Sequence, residues 1–145
     1  MLAQSLVTLF LASTAFAAPA RRQQLKSMSS AAAKEWTVLD MSRDCNKDDT
    51  KCTWTFSVDK NEDGFEPVDC EYIIEGEPAS ETPGVTPQSC EPFTITSGYD
   101  SSGFTVLSIV DYEAGKIVWA GYNDDILEDG ETVTPDRSWV VSDLP

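Results

Sequence analysis

Hydrophobic and polar residues alternate in short runs along the chain after residue 34, and turn-forming residues separate these runs. The clearest run is 52–58, where cysteine, tryptophan, phenylalanine and valine alternate with threonine and serine. A repeat of two residues is typical of a strand with one face in the core. The same reasoning predicts seven further strands, at residues 36–39, 70–74, 93–96, 104–110, 117–122, 131–134 and 139–141.

About eight short strands with turn signals between them predict an all-β fold, a compact antiparallel β-barrel or sandwich. Residues 113–115, Glu-Ala-Gly, are typical of a tight hairpin turn. Three prolines, Pro78, Pro83 and Pro87, predict an irregular loop between residues 76 and 90.

The beginning of the chain has the features of a secretory leader. An apolar run, Leu6–Leu11, is too short to span a bilayer, and Ala15-Phe16-Ala17 supplies the small residues of a cleavage site. We therefore predict a signal peptide at residues 1–17 and a secreted, extracellular protein. Residues 18–33, which include a dibasic pair at 21–22, are expected to be a pro-segment and flexible lead-in, and residues 34–145 a single β domain.

Four cysteines follow the leader: Cys45, Cys52, Cys70 and Cys90. An even number in an exported chain predicts two structural disulfides, each worth about 2–4 kcal/mol, and no free thiol. Pairing Cys45 with Cys52 and Cys70 with Cys90 is favoured because each pair closes a neighbouring loop. A Cys52–Cys70 link across a hairpin near Asn61 is the alternative. A zinc site is disfavoured because no C-x-x-C spacing occurs.

The formal net charge of −15 and the absence of histidine restrict the function classes. A strongly acidic surface repels nucleic acid and anionic lipid, so neither a nucleic-acid partner nor membrane insertion is expected. Without histidine, Ser-His and Cys-His nucleophiles and imidazole bases are excluded. We expect no enzyme activity, no catalytic residue and no cofactor. The sequence leaves the oligomeric state open.

Two segments of the chain are rich in acidic residues. Residues 59–64, Asp-Lys-Asn-Glu-Asp-Gly, match the first half of a calcium-binding loop. The match fails at its twelfth position, where Cys70 replaces the glutamate. A second acidic segment, residues 123–131, is most simply a solvated turn. No metal site is predicted, although calcium at residues 59–64 is left open.

Four tryptophans could form a sugar-binding platform or belong to the core: Trp36, Trp54, Trp119 and Trp139. Trp54 and Trp119 alternate with other apolar residues, so both are expected to be buried. Trp139 and Tyr99 are the better candidates for exposure.

Three segments resemble a family of small secreted proteins from filamentous fungi that includes hypersensitive-response-inducing elicitors. They are DCNKDDTKCTWTF at residues 44–56, FTVLSIVDY at residues 104–112, and VTPDRS at residues 133–138 together with the terminal Leu-Pro. The first segment, with its two cysteines and tryptophan, is the most specific. The resemblance covers about residues 34–145. A looser similarity to fungal allergen-type β-barrel proteins is also noted.

The resemblance implies a disulfide-stabilised β-barrel without a catalytic centre. It implies an effector or elicitor that binds a host plant protein or receptor in the apoplast and triggers cell death and defence. No catalytic, cofactor or metal residue is transferred from the family. The alternative hypothesis is a non-catalytic module that binds cell-wall polysaccharide, with Trp139 as the exposed aromatic residue.

Overall fold

Nine strands provide most of the regular structure in residues 33–145, the part of the chain that the computed structural model describes. They are β1 (Glu35–Cys45), β2 (Lys51–Asp59), β3 (Val68–Glu75), β4 (Gln88–Cys90), β5 (Phe93–Asp100), β6 (Phe104–Asp111), β7 (Lys116–Asn123), β8 (Arg137–Val140) and β9 (Ser142–Asp143). Single 3₁₀ turns occur at Ala79–Glu81 and Asp124–Ile126. Within the described part, no helix is long and apolar enough to cross a membrane. The predicted signal peptide, and the lead-in except for Ala33, lie outside it.

The strands form two antiparallel sheets. Sheet 1 has the order β3-β2-β1-β8, and sheet 2 has the order β4-β5-β6-β7-β9. Both sheets are open, so the fold is a sandwich and not a closed barrel. The chain passes from sheet 1 to sheet 2 between β8 and β9, which only Val141 separates. The all-β prediction is confirmed, and the choice between barrel and sandwich is settled for the sandwich.

The strands of the structure differ from the predicted strands in three ways. The strand expected at residues 131–134 is wrong, since this segment makes one isolated bridge, between Thr132 and Ser42. The strands β4 and β9 were not predicted, because two or three residues are too short to show a period. Strand β1 runs on to Cys45 past a bulge, where Asp40 has a φ of 50°. The bulge changes which side chains face inward, so the alternation of β1 is interrupted.

The core is built from alternate positions of both sheets. In β2, Cys52, Trp54, Phe56 and Val58 are all buried, as their spacing predicts. The inward residues of sheet 2 pack in the same cluster: Phe93, Ile95, Leu107, Ile109, Val118, Ala120 and Tyr122. Burying one large apolar side chain contributes about 1.5–3 kcal/mol, so this shared cluster is the main force that holds the sheets together.

The disulfides have the favoured pairing, and no cysteine is free. Cys45 and Cys52 lie directly opposite each other on β1 and β2, within sheet 1. The second bond joins Cys70 on β3 to Cys90 on β4, and therefore links the edge of sheet 1 to the edge of sheet 2.

Gln88 on β4 strengthens the same junction. Its Oε1 accepts a hydrogen bond from the backbone N–H of Ile73 at 3.0 Å, and its Nε2 donates to the Ile73 carbonyl at 2.5 Å. The side-chain amide thus occupies part of the open edge of β3, which protects that edge from pairing with another strand.

Removing the Cys70–Cys90 bond by Cys70→Ser with Cys90→Ser is expected to lower the free energy of unfolding by about 3 kcal/mol. Its sequence separation is 20 residues, against 7 for Cys45–Cys52, whose ends the β1–β2 ladder already holds together. The matched variant, Cys45→Ser with Cys52→Ser, should therefore show a smaller decrease in the free energy of unfolding. Urea unfolding followed by tryptophan fluorescence measures both. A larger loss for the matched variant would contradict this account.

Candidate interaction surface

Lys60, just after β2, has its ammonium group inside one end of the sandwich. The Lys60 side chain is 12% exposed and forms an ion pair with Asp111, whose side chain is 3% exposed. Three aromatic rings surround the Lys60 Nζ, with centroids at 4.9 Å for Phe65, 5.5 Å for Phe93 and 5.7 Å for Trp36. The rings and the carboxylate together offset the cost of burying a cation.

The loop at residues 59–64, where calcium was left open, is attached to β1 by the side-chain amide of Asn61. The Asn61 Nδ2 donates hydrogen bonds of 2.9 Å to the Glu35 carbonyl and to the Thr37 hydroxyl. The Asn61 backbone N–H donates to the Asp59 carboxylate at 2.8 Å. These contacts give Asp59 and Asn61 a structural role in the hairpin.

Within residues 33–145, one group of three metal-ligating side chains lies close together: Cys45, Asp49 and Cys52. Both cysteines are in the disulfide, so their sulfurs are not available as thiolates. The Asp49 carboxylate accepts a hydrogen bond from the backbone N–H of Ser80 at 2.9 Å and another from its hydroxyl at 2.5 Å. This group therefore fastens the 3₁₀ turn at Ala79–Glu81 to the β1–β2 hairpin.

Arg43 and Asp124 form another partly buried ion pair, in which the Arg43 Nη1 and the Asp124 Oδ1 are 2.9 Å apart. Arg43 is buried, and its guanidinium lies 5.5 Å from the centroid of the Trp54 ring. The Tyr99 hydroxyl donates to the other oxygen of Asp124 at 3.2 Å. Desolvation, with the negative charge of Asp124, raises the pKa of the Tyr99 phenol.

The acidic segment at residues 123–131 is therefore only partly a solvated turn. Asp124 points back to Arg43 and Tyr99. The other acidic residues of this segment are exposed, as predicted: Asp125, Glu128, Asp129 and Glu131.

The tryptophans are distributed differently from the expectation. Trp36 and Trp54 are buried, but Trp119 is 48% exposed and the prediction that it is buried is wrong. Trp139, expected to be exposed, is partly buried and packs edge-on against Tyr122 with a centroid distance of 5.3 Å. In β7 both alternating sets are apolar, and the set that contains Tyr122 faces inward. The sequence pattern could not distinguish the two sets.

Part of the outward side of sheet 2 is an uncharged surface, which we call the neutral face, and the next row on this side contains the exposed Asp100. Its residues lie in three cross-strand rows over β5, β6 and β7: Thr94, Val110 and Ile117; Thr96, Ser108 and Trp119; Gly98, Val106 and Gly121. None carries a charge, although the chain as a whole carries −15. Val110 and Ile117 are 7% exposed yet lie outside the core cluster, so neighbouring groups cover them on this outer side.

The outer side of sheet 1 has a different character. Its exposed residues include acidic side chains on β1 and β3: Glu35, Asp44, Asp69, Glu71 and Glu75. The two outer sides would therefore select different partners, because charge strongly affects which molecules approach a surface.

The fold and these surfaces define a small disulfide-stabilised β-sandwich protein with one neutral face and many acidic residues elsewhere on its exterior. A family model described as Effector TSP1 matches residues 37–144. The chain is also 38% identical over 143 residues to the protein named Effector TSP1 from Hypocrea virens. The alignment covers 95% of this chain and 94% of that protein. The chain belongs to the Effector TSP1 family. The expected membership of a small fungal effector family is thus confirmed.

Asp111→Asn is expected to lower the free energy of unfolding by about 3–5 kcal/mol, because it leaves the Lys60 cation buried without a counter-charge. The double variant Lys60→Met with Asp111→Leu should recover most of this loss, since it removes both charges. Lys116→Ala is the control, because the Lys116–Asp143 pair is exposed and should contribute less than about 1 kcal/mol. Chemical denaturation measures all three, and a small effect of Asp111→Asn would refute a structural role for the buried pair.

The Asp111 pair also predicts a pH dependence. Burial raises the pKa of the Asp111 carboxyl, but hydrogen bonds from Lys60 and from the Ala114 and Glu113 backbones, with the charge of Lys60, outweigh burial and lower the pKa. The stabilisation is therefore complete above the unfolded pKa of about 3.9 and is lost as pH falls through the lower folded value. The difference in melting temperature between the wild type and Asp111→Asn should stay constant above about pH 4 and shrink as the pH falls further. A constant difference from pH 6 to pH 2 would contradict this prediction.

Proposed function

We propose that the mature protein is a secreted fungal effector that binds a host plant protein in the apoplast, without catalysis, and triggers cell death and defence. The observation that carries this proposal is the match to the Effector TSP1 family over residues 37–144. The leader-like residues 1–17 and the two disulfides support secretion, because such bonds persist in oxidising compartments.

The construction of the sandwich supports a role outside the cell. One disulfide and the Lys60–Asp111 pair both connect sheet 1 to sheet 2, since Lys60 follows β2 and Asp111 ends β6. Proteases act on segments that open locally, and such cross-links make opening rarer. A protein of this kind can keep a binding surface intact in an extracellular fluid.

Binding without catalysis is supported by the use of the interior charges. Lys60 is paired with Asp111, and Arg43 with Asp124, so each serves to hold the fold together. Histidine, the commonest general base, does not occur in the sequence.

The loop between β3 and β4 is the best candidate for contact with a host protein. Val85 in this loop is 75% exposed. Its neighbour Gly84 is held in place, because the Gly84 carbonyl accepts a hydrogen bond of 2.7 Å from the Tyr72 hydroxyl, and its N–H donates to the Ser97 hydroxyl at 2.9 Å. A Cβ at residue 84 would lie 1.8 Å from the Tyr72 oxygen, so this position requires glycine. An apolar side chain on a fixed loop loses little entropy on binding.

Infiltration of the purified mature protein into leaves is expected to cause ion leakage that rises with concentration. The reduced and alkylated protein should be inactive, because the recognition surface requires the folded sandwich. Heat treatment is a weaker control, since a chain with intact disulfides can refold. No response from a sample with a β-rich circular dichroism spectrum and no titratable thiol would overturn the proposal.

A pair of matched variants then tests the contact loop. Val85→Asp should reduce the leaf response at least tenfold, because it places a charge in the apolar contact. Val140→Asp is the control, since Val140 is also exposed, at 52%, but lies on β8. An equal response from both variants would move the contact surface away from the β3–β4 loop.

A further inference from the structure

The neutral face contains one prominent side chain, the indole of Trp119. Of the nine residues of this face, Trp119 is the one large apolar residue that is substantially exposed. A half-exposed tryptophan on a rigid strand is a strong candidate for contact with a ligand, because it presents a large apolar surface with few torsions to fix. Its strand, β7, pairs with β6 along its whole length, which includes the pair of Trp119 with Ser108.

Hydroxyl groups continue the row that begins at Trp119. Ser108 lies directly opposite Trp119 on β6, and Thr96 lies directly opposite Ser108 on β5. Opposite Cβ atoms on adjacent strands are about 4.5–5.5 Å apart. The row therefore places one flat aromatic surface and two hydroxyls, each able to donate and accept hydrogen bonds, within about 10 Å.

The row beside it has a glycine at each end and Val106 between them. The end at Gly98 is open, because a Cβ at residue 98 would have no atom within 4 Å. The ring of Phe104 lies over Gly121, where a Cβ would be 2.4 Å from the Phe104 Cζ. A second aromatic ring therefore lies in the row next to that of Trp119.

We propose that the neutral face binds a neutral polysaccharide of the β-linked glucopyranose type, with Trp119 stacked on one sugar ring. In such a sugar the hydroxyls are equatorial, so the ring faces present C–H groups to an indole while the hydroxyls point sideways to Ser108 and Thr96. Because this face carries no charge, it favours a neutral chain. The formal net charge of −15 repels anionic pectin in the same way as other polyanions.

Other occupants fit this face less well. A stable protein–protein interface buries about 800 Å² on each partner with several apolar anchors, whereas Trp119 is the one large apolar side chain of this face that is substantially exposed. A second copy of this chain would also bring two strongly acidic molecules together. A sugar ring requires only one aromatic surface and a few hydrogen bonds.

This site differs from the polysaccharide platform that the sequence suggested, which relied on Trp139. Trp139 packs against Tyr122, whereas Trp119 is the exposed indole. The proposal is independent of the host-protein contact, because the β3–β4 loop and the neutral face share no residue. Glycan binding and the leaf response can therefore fail separately.

The test uses the mature wild-type protein with the neutral hexasaccharides of β-1,3-glucan, β-1,4-glucan and chitin, and with oligogalacturonate as the anionic control. Titration by calorimetry and by tryptophan fluorescence should give saturable binding to at least one neutral hexasaccharide and none to oligogalacturonate. Trp119→Ala should weaken binding at least tenfold, and Ser108→Ala should weaken it severalfold. Tyr112→Ala is the matched control, since Tyr112 is 66% exposed and lies outside the neutral face, and it should bind as the wild type does.

A chemical protection measurement keeps the test valid if Trp119→Ala does not fold. N-bromosuccinimide oxidises exposed indoles, and peptide mass analysis locates the oxidised residue. The bound hexasaccharide should slow oxidation of Trp119 in the wild-type protein. Absence of saturable binding to all three neutral sugars, or unchanged oxidation of Trp119 at saturation, would overturn the proposal. A wild-type dimer that Trp119→Ala converts to monomer would also overturn it, because the face would then be a contact between copies.

Discussion

The contact between the two sheets is the interaction on which the rest of this structure depends, because neither sheet can bury its apolar side alone. One covalent link and one ion pair reinforce that contact. The Cys70–Cys90 bond joins the edges β3 and β4, and the Lys60–Asp111 pair joins the ends of β2 and β6 inside a ring of aromatic side chains. Lys60 is an unusual element for an apolar interior. Its burial is tolerated because the carboxylate and the aromatic rings replace the water that the ammonium loses.

This internal arrangement determines what is left for recognition. Alternation along each strand sends one set of side chains into the core and the other set outward, so the outer sides are free to vary in chemistry. Sheet 1 carries acidic residues on its outer side, whereas the neutral face on the outer side of sheet 2 carries hydroxyls, glycines, aliphatic residues and one tryptophan. The β3–β4 loop is held by Tyr72, Ser97 and Asp49, which makes it a fixed surface and not a loose connection. A rigid scaffold with chemically distinct surfaces is well suited to a family of effectors.

Much of the fold followed from local patterns, and the failures have identifiable causes. The long strands and the disulfide pairing were predictable, since alternation over five or more residues and short cysteine spacings are local signals. The bulge at Asp40 was not predictable, because an interruption of the alternation at one residue looks in the sequence like the end of a strand. Lys60 lies in the segment that matches half of a calcium-binding loop, and nothing in residues 59–64 reveals that Asp111, far along the chain, pairs with it. The burial expected for Trp119 was wrong because β7 is apolar on both sides. The exposure expected for Trp139 was wrong because its ring packs against Tyr122 on another strand, a contact that no local pattern shows.

Composition and alternation were enough to predict an all-β class, an acidic exterior and the absence of imidazole chemistry, and three short segments carried the resemblance to small fungal effectors. These properties depend on which residues are present and on their spacing over a few positions. The choice of sandwich over barrel, the burial of Lys60 and the exposure of Trp119 depend on which strand edges and faces meet. Such contacts join residues from distant parts of the chain, and a local pattern contains no information about them.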